Sequence, residues 1–573
     1  MSGLLVAGTS SDAGKSLVVT GLCRVYARRG IDVAPFKAQN MSNNSMVVRD
    51  GEIGRAQYLQ ATAAGVEPCT AMNPVLIKPG TDRRAHVVLR GRPDRILEAG
   101  QYATGRRHLA SAAFDAFREL AGRHELVVCE GAGSPAEVNL RAGDYVNMGL
   151  ARQFDLPVVL VGDIDRGGVL ASIVGTWALL EEADRRLLKG YLINKFRGDP
   201  DVLAPGLVEV SRRTGLANFG VLDWLDGVWL DSEDALAIGG WGRAAAPVTS
   251  PLRVAVLRFP RVSNATDVDA LAAEPGVRVE VTADPQTALE ADLLVLPGTR
   301  ATTDDLGWLR GRGLDAVVTR RHVLGRPVLG ICGGYQMLGQ VVADEVEGSH
   351  AGETPGLQLL PMRTDFGPDK VLGRPQGSWQ GHPTRGYEIH HGIVTPVGAS
   401  APAPGPGPRA DSPETTGGAV GGQTVRDSPG NGAPPNASGT DREGARSEPS
   451  SPSGTSPTRP AQPPQQGTSF PPPATAMATA PATAPEPFLD GFQVGTTWGT
   501  LWHGALEQDG FRRAWLTRVA QDAGHPWRPA PGASGYAERR EQMIDTLADA
   551  LEAQVDVDAL LALARSQPHR QET

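Results

Sequence analysis

Short apolar runs, each ending in a polar or glycine-rich turn, recur in two separate blocks of this 573-residue chain. Residues 4–7, 126–129, 157–161 and 190–193 form the first block, and 253–257, 293–298 and 327–332 form the second. Continuous apolarity over so few residues marks strands buried on both faces. Amphipathic helical stretches separate them, which is the pattern of a doubly wound α/β sheet with ligands at the carboxyl ends of the strands. The expected fold is therefore two doubly wound α/β domains.

Composition refines this layout. The chain holds 70 Gly and 46 Pro, and their excess concentrates at about 398–486, where large apolar residues are scarce. Such a segment cannot bury enough surface to offset ordering entropy and is expected to be disordered. The domains are expected at 1–238 and 252–397, joined by a linker at 239–251. Residues 487–573 supply the last part of the second domain plus a C-terminal helix at about 537–566. A formal net charge of −9 argues against a nucleic-acid-binding face. No run of about 18 apolar residues predicts a membrane span. Cys23, Cys69, Cys129 and Cys332 show no C-x-x-C pairing, so reduced thiols in a cytoplasmic enzyme are expected.

The first strand leads into Gly8-Thr9-Ser10-Ser11-Asp12-Ala13-Gly14-Lys15-Ser16 and then an apolar helix. Strand, glycine-rich loop and helix together make a phosphate cradle, because backbone N–H groups and the helix N-terminus converge on the anion. Lys15 is expected to reach the β- and γ-phosphates of ATP, and Ser16 to ligate Mg²⁺. Asp12 lies in the same loop. The first glycine sits one residue earlier than in the usual phosphate-loop spacing.

A second elbow is Gly330-Ile331-Cys332-Gly333-Gly334-Tyr335-Gln336. A strand meets a glycine pair and then a helix, so Cys332 is held on a tight turn. At the helix N-terminus, N–H groups such as that of Gly333 can receive an oxyanion. The thiol needs a base; His350, His382, His390, His391 and His503 are the candidates.

The longer phosphate loop resembles that of dethiobiotin synthetase and its relatives, in which ATP phosphorylates a carboxylate-like oxygen. That resemblance implies Glu130 as an acidic Mg²⁺ ligand and Asn194 as a reader of adenine. The cysteine elbow resembles G-x-C-x-G-x-Q of class I glutamine amidotransferases. It implies that the loop bearing Gly298 completes the oxyanion hole and that His503, in Trp502-His503-Gly504, is the base. Many of those enzymes place Glu two residues beyond this histidine. Here Ala505 stands there, so the third member of the triad stays open; Glu388 is available.

The pairing of the two halves resembles the cobyric acid synthase and cobyrinic acid diamide synthase group. Residues 35–45, 73–79, 130–137 and 162–168 carry the likeness to the former. It implies ATP- and glutamine-dependent amidation of the b, d, e and g carboxylates of a corrinoid a,c-diamide, with Mg²⁺. Gln39, Asn40, Asn43 and Asn44 are then suited to hydrogen-bond a large polar substrate rim, and Asp163 and Asp165 to touch metal or substrate. A related amidotransferase, such as a cobyrinic acid diamide synthase or a cell-wall glutamate amidase, is the neighbouring alternative. A non-catalytic P-loop scaffold protein is the more distant one.

Overall fold

The computed structural model describes residues 2–81, 84–98, 107–228, 250–346, 352–398 and 484–566. Among them, six parallel strands form the first sheet, in the order Ala217–Asp223, Leu188–Phe196, Val158–Asp163, Ser2–Gly8, Leu126–Glu130 and Val33–Phe36. The central strand Ser2–Gly8 is buried almost throughout. A doubly covered parallel sheet demands that, and it explains the unbroken apolar runs. The helix Lys15–Arg28 leaves its end and packs on one face.

The second sheet runs Val277–Thr282, Leu252–Leu257, Leu293–Leu296, Val328–Ile331, Thr497–Thr500, Gly491–Val494 and Glu486–Phe488. Its first five strands are parallel and the last two pairings antiparallel. The Thr497–Thr500 strand therefore lies directly beside Val328–Ile331, although the two are far apart in sequence. Trp498, Trp515, Phe488 and Phe511 fill the layer beneath it.

Two expectations on domain bounds change. The C-terminal helix is two helices, Tyr536–Gln554 and Val557–Arg565, broken at Val555 and capped by the Asp556 side chain. Apart from Tyr536, which packs in the second domain's core, these do not extend that core. Ile544, Leu547, Leu551 and Leu560 pack on Val18, Leu22 and Val25 of the first helix, inside the nucleotide-side core. Arg24, Arg28 and Arg29 pair with acidic residues of the returning helices along this seam. The second change is at the end of the low-complexity segment: Glu486 already pairs with Gln493 in the sheet. The disorder expected for the rest of 398–486 falls at 399–483, outside the described residues, as does nearly all of the 239–251 linker.

Candidate active sites

The phosphate loop sits at the carboxyl end of the central strand of the first sheet. Gly14 has φ 102°, a left-handed backbone open to glycine. A Cβ there would also lie 1.9 Å from the Asn194 amide nitrogen. Lys15 is buried and donates from Nζ to the Ser10 carbonyl at 2.9 Å. The Thr9 N–H donates to Val161 O at 3.0 Å, tying the loop to the next strand. Asn194 donates to the Ala13 carbonyl at 3.0 Å and is itself buried. Its amide N–H₂ also steadies the loop, alongside the adenine-reading role that the resemblance implies.

Glu130 ends the neighbouring strand and is fully buried. Its Oε1 accepts from Ser16 Oγ at 2.8 Å and from Lys37 Nζ at 2.8 Å, and its Oε2 accepts from Gln60 Nε2 at 2.5 Å. Burial pushes this carboxyl up, but Lys37 and the three hydrogen bonds outweigh it and hold it below the usual carboxylate range. Lys37 and Gln60 are thus site residues that motif reading passed over. A lone lysine just past a wholly apolar strand was the available signal. Asp12, Asp163 and Asp165 gather on the loop's rim: Asp12 pairs with Arg166 at 3.0 Å, Asp163 with Lys195 at 2.7 Å, and the Asp165 N–H donates to Asp163 at 2.9 Å.

The set fits Mg²⁺. Ser16 and Glu130 offer hard oxygens side by side at the loop. Among the described residues no group of three acidic, His or Cys side chains could hold a metal alone. A magnesium ion needs no such group, because it shares its ligands with phosphates and water.

At the second site, Cys332 follows the Val328–Ile331 strand with φ 50° and ψ −111°, a strained turn of the kind found at functional positions. It caps the short helix Gly333–Met337 and is buried. A Cβ on Gly334 would stand 2.1 Å from the Leu296 carbonyl oxygen, so the glycine pair lets the 296–299 loop close over the elbow. Gly298 lies in that loop; a Cβ on it would meet the His503 ring carbon Cε1 at 3.1 Å. Gly298, Gly333 and His503 thus converge around one thiol.

The His503 ring interacts electrostatically with Cys332 on one side and hydrogen-bonds Asp267 on the other, with Nδ1 2.6 Å from Asp267 Oδ2. Burial pulls the imidazole down, but Asp267 and then Cys332 more than reverse this, raising it to about 10. The third member is therefore Asp267, which also accepts the Gly504 N–H at 2.9 Å. It lies 236 positions before His503, so no local spacing announces it. Glu388 does not take that place. Its neighbour Tyr387 exchanges both backbone hydrogen bonds with His503 at 2.9 Å and stacks on its ring, centroids 5.3 Å apart.

A cavity beside Cys332 is lined from both halves of the chain, by Asn43 and Lys78 on one side and Thr299, Gln336, His390 and His391 on the other. Asn43 Oδ1, Gln336 Nε2, His390 Nε2 and His391 Nδ1 are buried there without a protein partner, a lining that calls for a polar guest. Burial holds His390 and His391 down at about 4 and 3, so both are neutral near pH 7. Of the other expected bases, His382 stands on an exposed hairpin strand and His350 is outside the described residues.

The four amide residues divide. Gln39 accepts from the Tyr145 hydroxyl at 2.5 Å, and Asn40 donates to Gln57 at 3.0 Å, both buried beneath the nucleotide site. Asn43 and Asn44 instead reach the glutaminase half: the Asn264 N–H donates to Asn43 O at 3.3 Å, and the Ala265 N–H to Asn44 Oδ1 at 3.0 Å.

Comparison with known proteins agrees with this architecture along the whole chain. Residues 4–236 match the CobQ/CobB/MinD/ParA nucleotide binding domain, and 253–415 the CobB/CobQ-like glutamine amidotransferase domain. The chain is 54% identical to the cobyric acid synthase of Cutibacterium acnes over 571 residues, 99% of this chain and 100% of that one. The chain belongs to the cobyric acid synthase family. Further members agree: 60% identity over 69% of this chain and 81% of the Mycolicibacterium gilvum protein, and 47% over 99% of this chain and 98% of the Mycolicibacterium vanbaalenii protein. It is a glutamine-dependent amidotransferase of the ligase class with an ATP-binding domain. Among the described residues, no helix is long and apolar enough to cross a membrane.

Proposed function

We propose that the chain amidates the b, d, e and g carboxylates of a corrinoid a,c-diamide, using one glutamine and one ATP per amide. The observation that carries this reading is the Cys332–His503–Asp267 array standing beside a cavity that residues of the ATP-binding half also line.

At the glutaminase site the Cys332 thiolate attacks the amide carbon of glutamine. The N–H groups of Gly298 and Gly333 face the oxyanion, and protonated His503 donates its proton to the departing ammonia. Water, deprotonated by His503, then clears the glutamyl thioester. Asp267 keeps the imidazole Nδ1–H fixed, which leaves Nε2 for the thiol.

At the other site a carboxylate is a poor electrophile until its oxygen carries a good leaving group. Gly8, Thr9, Gly14, Lys15 and Ser16 cradle the phosphates of ATP. Lys15 offsets the charge that moves onto the β-phosphate as the γ-phosphoryl group transfers to the carboxylate. Ser16 and Glu130 would hold Mg²⁺, which supplies electrostatic neutralisation of the phosphates. Asp12, Asp163 and Asp165 order the loop's rim. Ammonia attacks the acyl phosphate and releases inorganic phosphate. Neutral His390 and His391 along the cavity suit a shielded passage of neutral ammonia. The domain division proposed is a nucleotide half completed by residues 536–565 and a glutaminase half spanning 252–397 and 486–523. The four free cysteines accord with a cytoplasmic setting.

Incubation with a corrinoid a,c-diamide, glutamine and Mg-ATP tests the reading by mass spectrometry. Successive amide products up to the fully amidated corrin are expected. A corrinoid that stays unmodified while glutamine and ATP are consumed would remove this substrate from the account.

A further inference from the structure

Residues 43–55 belong to the nucleotide half, yet they touch both turns that carry the glutaminase pair. Asn44 Oδ1 accepts the Ala265 N–H at 3.0 Å, and the Ser45 N–H donates to Asn264 Oδ1 at 2.9 Å. These bonds fix the turn Ala265–Val268 that presents Asp267. Val47, in the hairpin strand Ser45–Val48, packs in one apolar cluster with Tyr387, the residue stacked on His503. Arg55, 1% exposed, pairs with Glu507 at 2.5 Å. Glu507 closes the turn that follows His503, its N–H donating to Gly504 O at 3.0 Å.

We propose that the glutaminase site is composite: segment 43–55 of the nucleotide half, and Arg55 above all, positions the His503–Asp267 pair against Cys332. The cysteine domain has its own strand, elbow and oxyanion loop. It braces the turn after His503 from within, through Arg512 on Leu506 O and Thr384 on Ala505 O, and three successive contacts from one hairpin and one helix start brace both turns from outside. The same helix, Arg55–Ala64, carries Gln60 onto Glu130, so one rigid element reaches the turn after the catalytic base of one site and the acidic residue of the other. A base displaced by a fraction of an ångström transfers its proton poorly while glutamine still binds, so the cost falls on kcat rather than KM.

The proposal rests on the glutaminase reading of Cys332, and the two fail differently. A wild type that never hydrolyses glutamine ends that reading, whereas the positioning role is read from the full-length variants Arg55→Ala, Arg55→Lys and Glu507→Ala. Glutamine hydrolysis is followed without nucleotide, together with the rate at which 6-diazo-5-oxo-norleucine alkylates Cys332. Arg55→Ala is expected to lose about tenfold or more in kcat with KM nearly unchanged. Alkylation should slow in parallel, Lys should restore much of the loss, and amidation driven by ammonium chloride should stay at the wild-type rate. Glu507→Ala breaks the same pair from the glutaminase side, together with the Arg540 pair at 3.3 Å, and should give the same pattern where Arg540→Ala alone does not, so the result stands even if Arg55→Ala misfolds. Wild-type kcat in both alanine variants, or an equal fall of glutamine- and ammonium-driven amidation, overturns the proposal.

Discussion

The phosphate loop and the cysteine elbow are the same device used twice: a buried parallel strand, a glycine-rich turn and a helix at the strand's carboxyl end. They differ in how the rest of each site is recruited. The phosphate loop carries its own chemistry, since Lys15, Ser16 and the backbone amides lie within one short segment. On the proposed mechanism the cysteine elbow supplies a nucleophile and part of an oxyanion hole and borrows everything else. Its base comes from Thr497–Thr500, a strand adjacent in space but distant in sequence, and its orienting acid from a turn after another strand. A cradle for a bound anion can be local, whereas proton transfer needs groups from several directions at one atom.

This contrast can be broken most sharply with a crossed pair of variants. Cys332→Ala should lower glutamine-driven amidation by about 10⁴-fold or more while ammonium-driven amidation persists. Lys15→Ala should abolish ATP-dependent amidation with either nitrogen source yet leave glutamine hydrolysis measurable. If Cys332→Ala also lost the ammonium-driven reaction, the two elbows would not be separable.

Asp267→Asn tests the borrowed acid. A fall in glutamine hydrolysis of about 10²-fold or more is expected, with a change in pH dependence. The raised imidazole, at about 10 against an ordinary 6.5, contributes stability in full below pH 6.5. That contribution fades as pH rises through about 10. Without Asp267 the alkaline limb of the hydrolysis profile should move down toward neutrality, and the alkaline stability should shrink with it. An unmoved limb would mean that another group sets it.

Lys37→Met sharpens the nucleotide side. It strips a buried carboxylate of its cation, and breaking such a pair costs about 3–5 kcal/mol, measurable by urea unfolding. Smaller again is the seam to the C-terminal helices. Leu551→Ala, fully buried against the first helix, should cost about 2–5 kcal/mol. Arg29→Ala, in a pair with much more exposed partners, should cost about 1 kcal/mol or less. A larger loss at Arg29 would make the seam electrostatic rather than apolar.

The same contrast explains what could be read from sequence. Both elbows and the strands that carry them were legible because continuous apolar runs and glycine spacing are local signals. His503 was legible by resemblance alone. Asp267 was not, because a single acid in an irregular turn carries no periodicity and its partner is hundreds of residues away. Asn44 reads from sequence as a substrate contact because an amide side chain advertises hydrogen bonding without saying to what. In the structure its Oδ1 accepts from the backbone of the other half. The C-terminal helices showed their apolar stripe plainly, but a stripe does not name the face it covers, and theirs covers the first helix of the chain.

On the proposed mechanism, ammonia made at Cys332 reaches the acyl phosphate formed at the Lys15 loop without entering bulk water. Amide-labelled nitrogen-15 glutamine, supplied with Mg-ATP and a corrinoid a,c-diamide in the presence of excess unlabelled ammonium chloride, tests it by mass spectrometry. Corrinoid amides that carry the glutamine label are expected. Amides that instead match the isotopic composition of the bulk ammonium pool would contradict it.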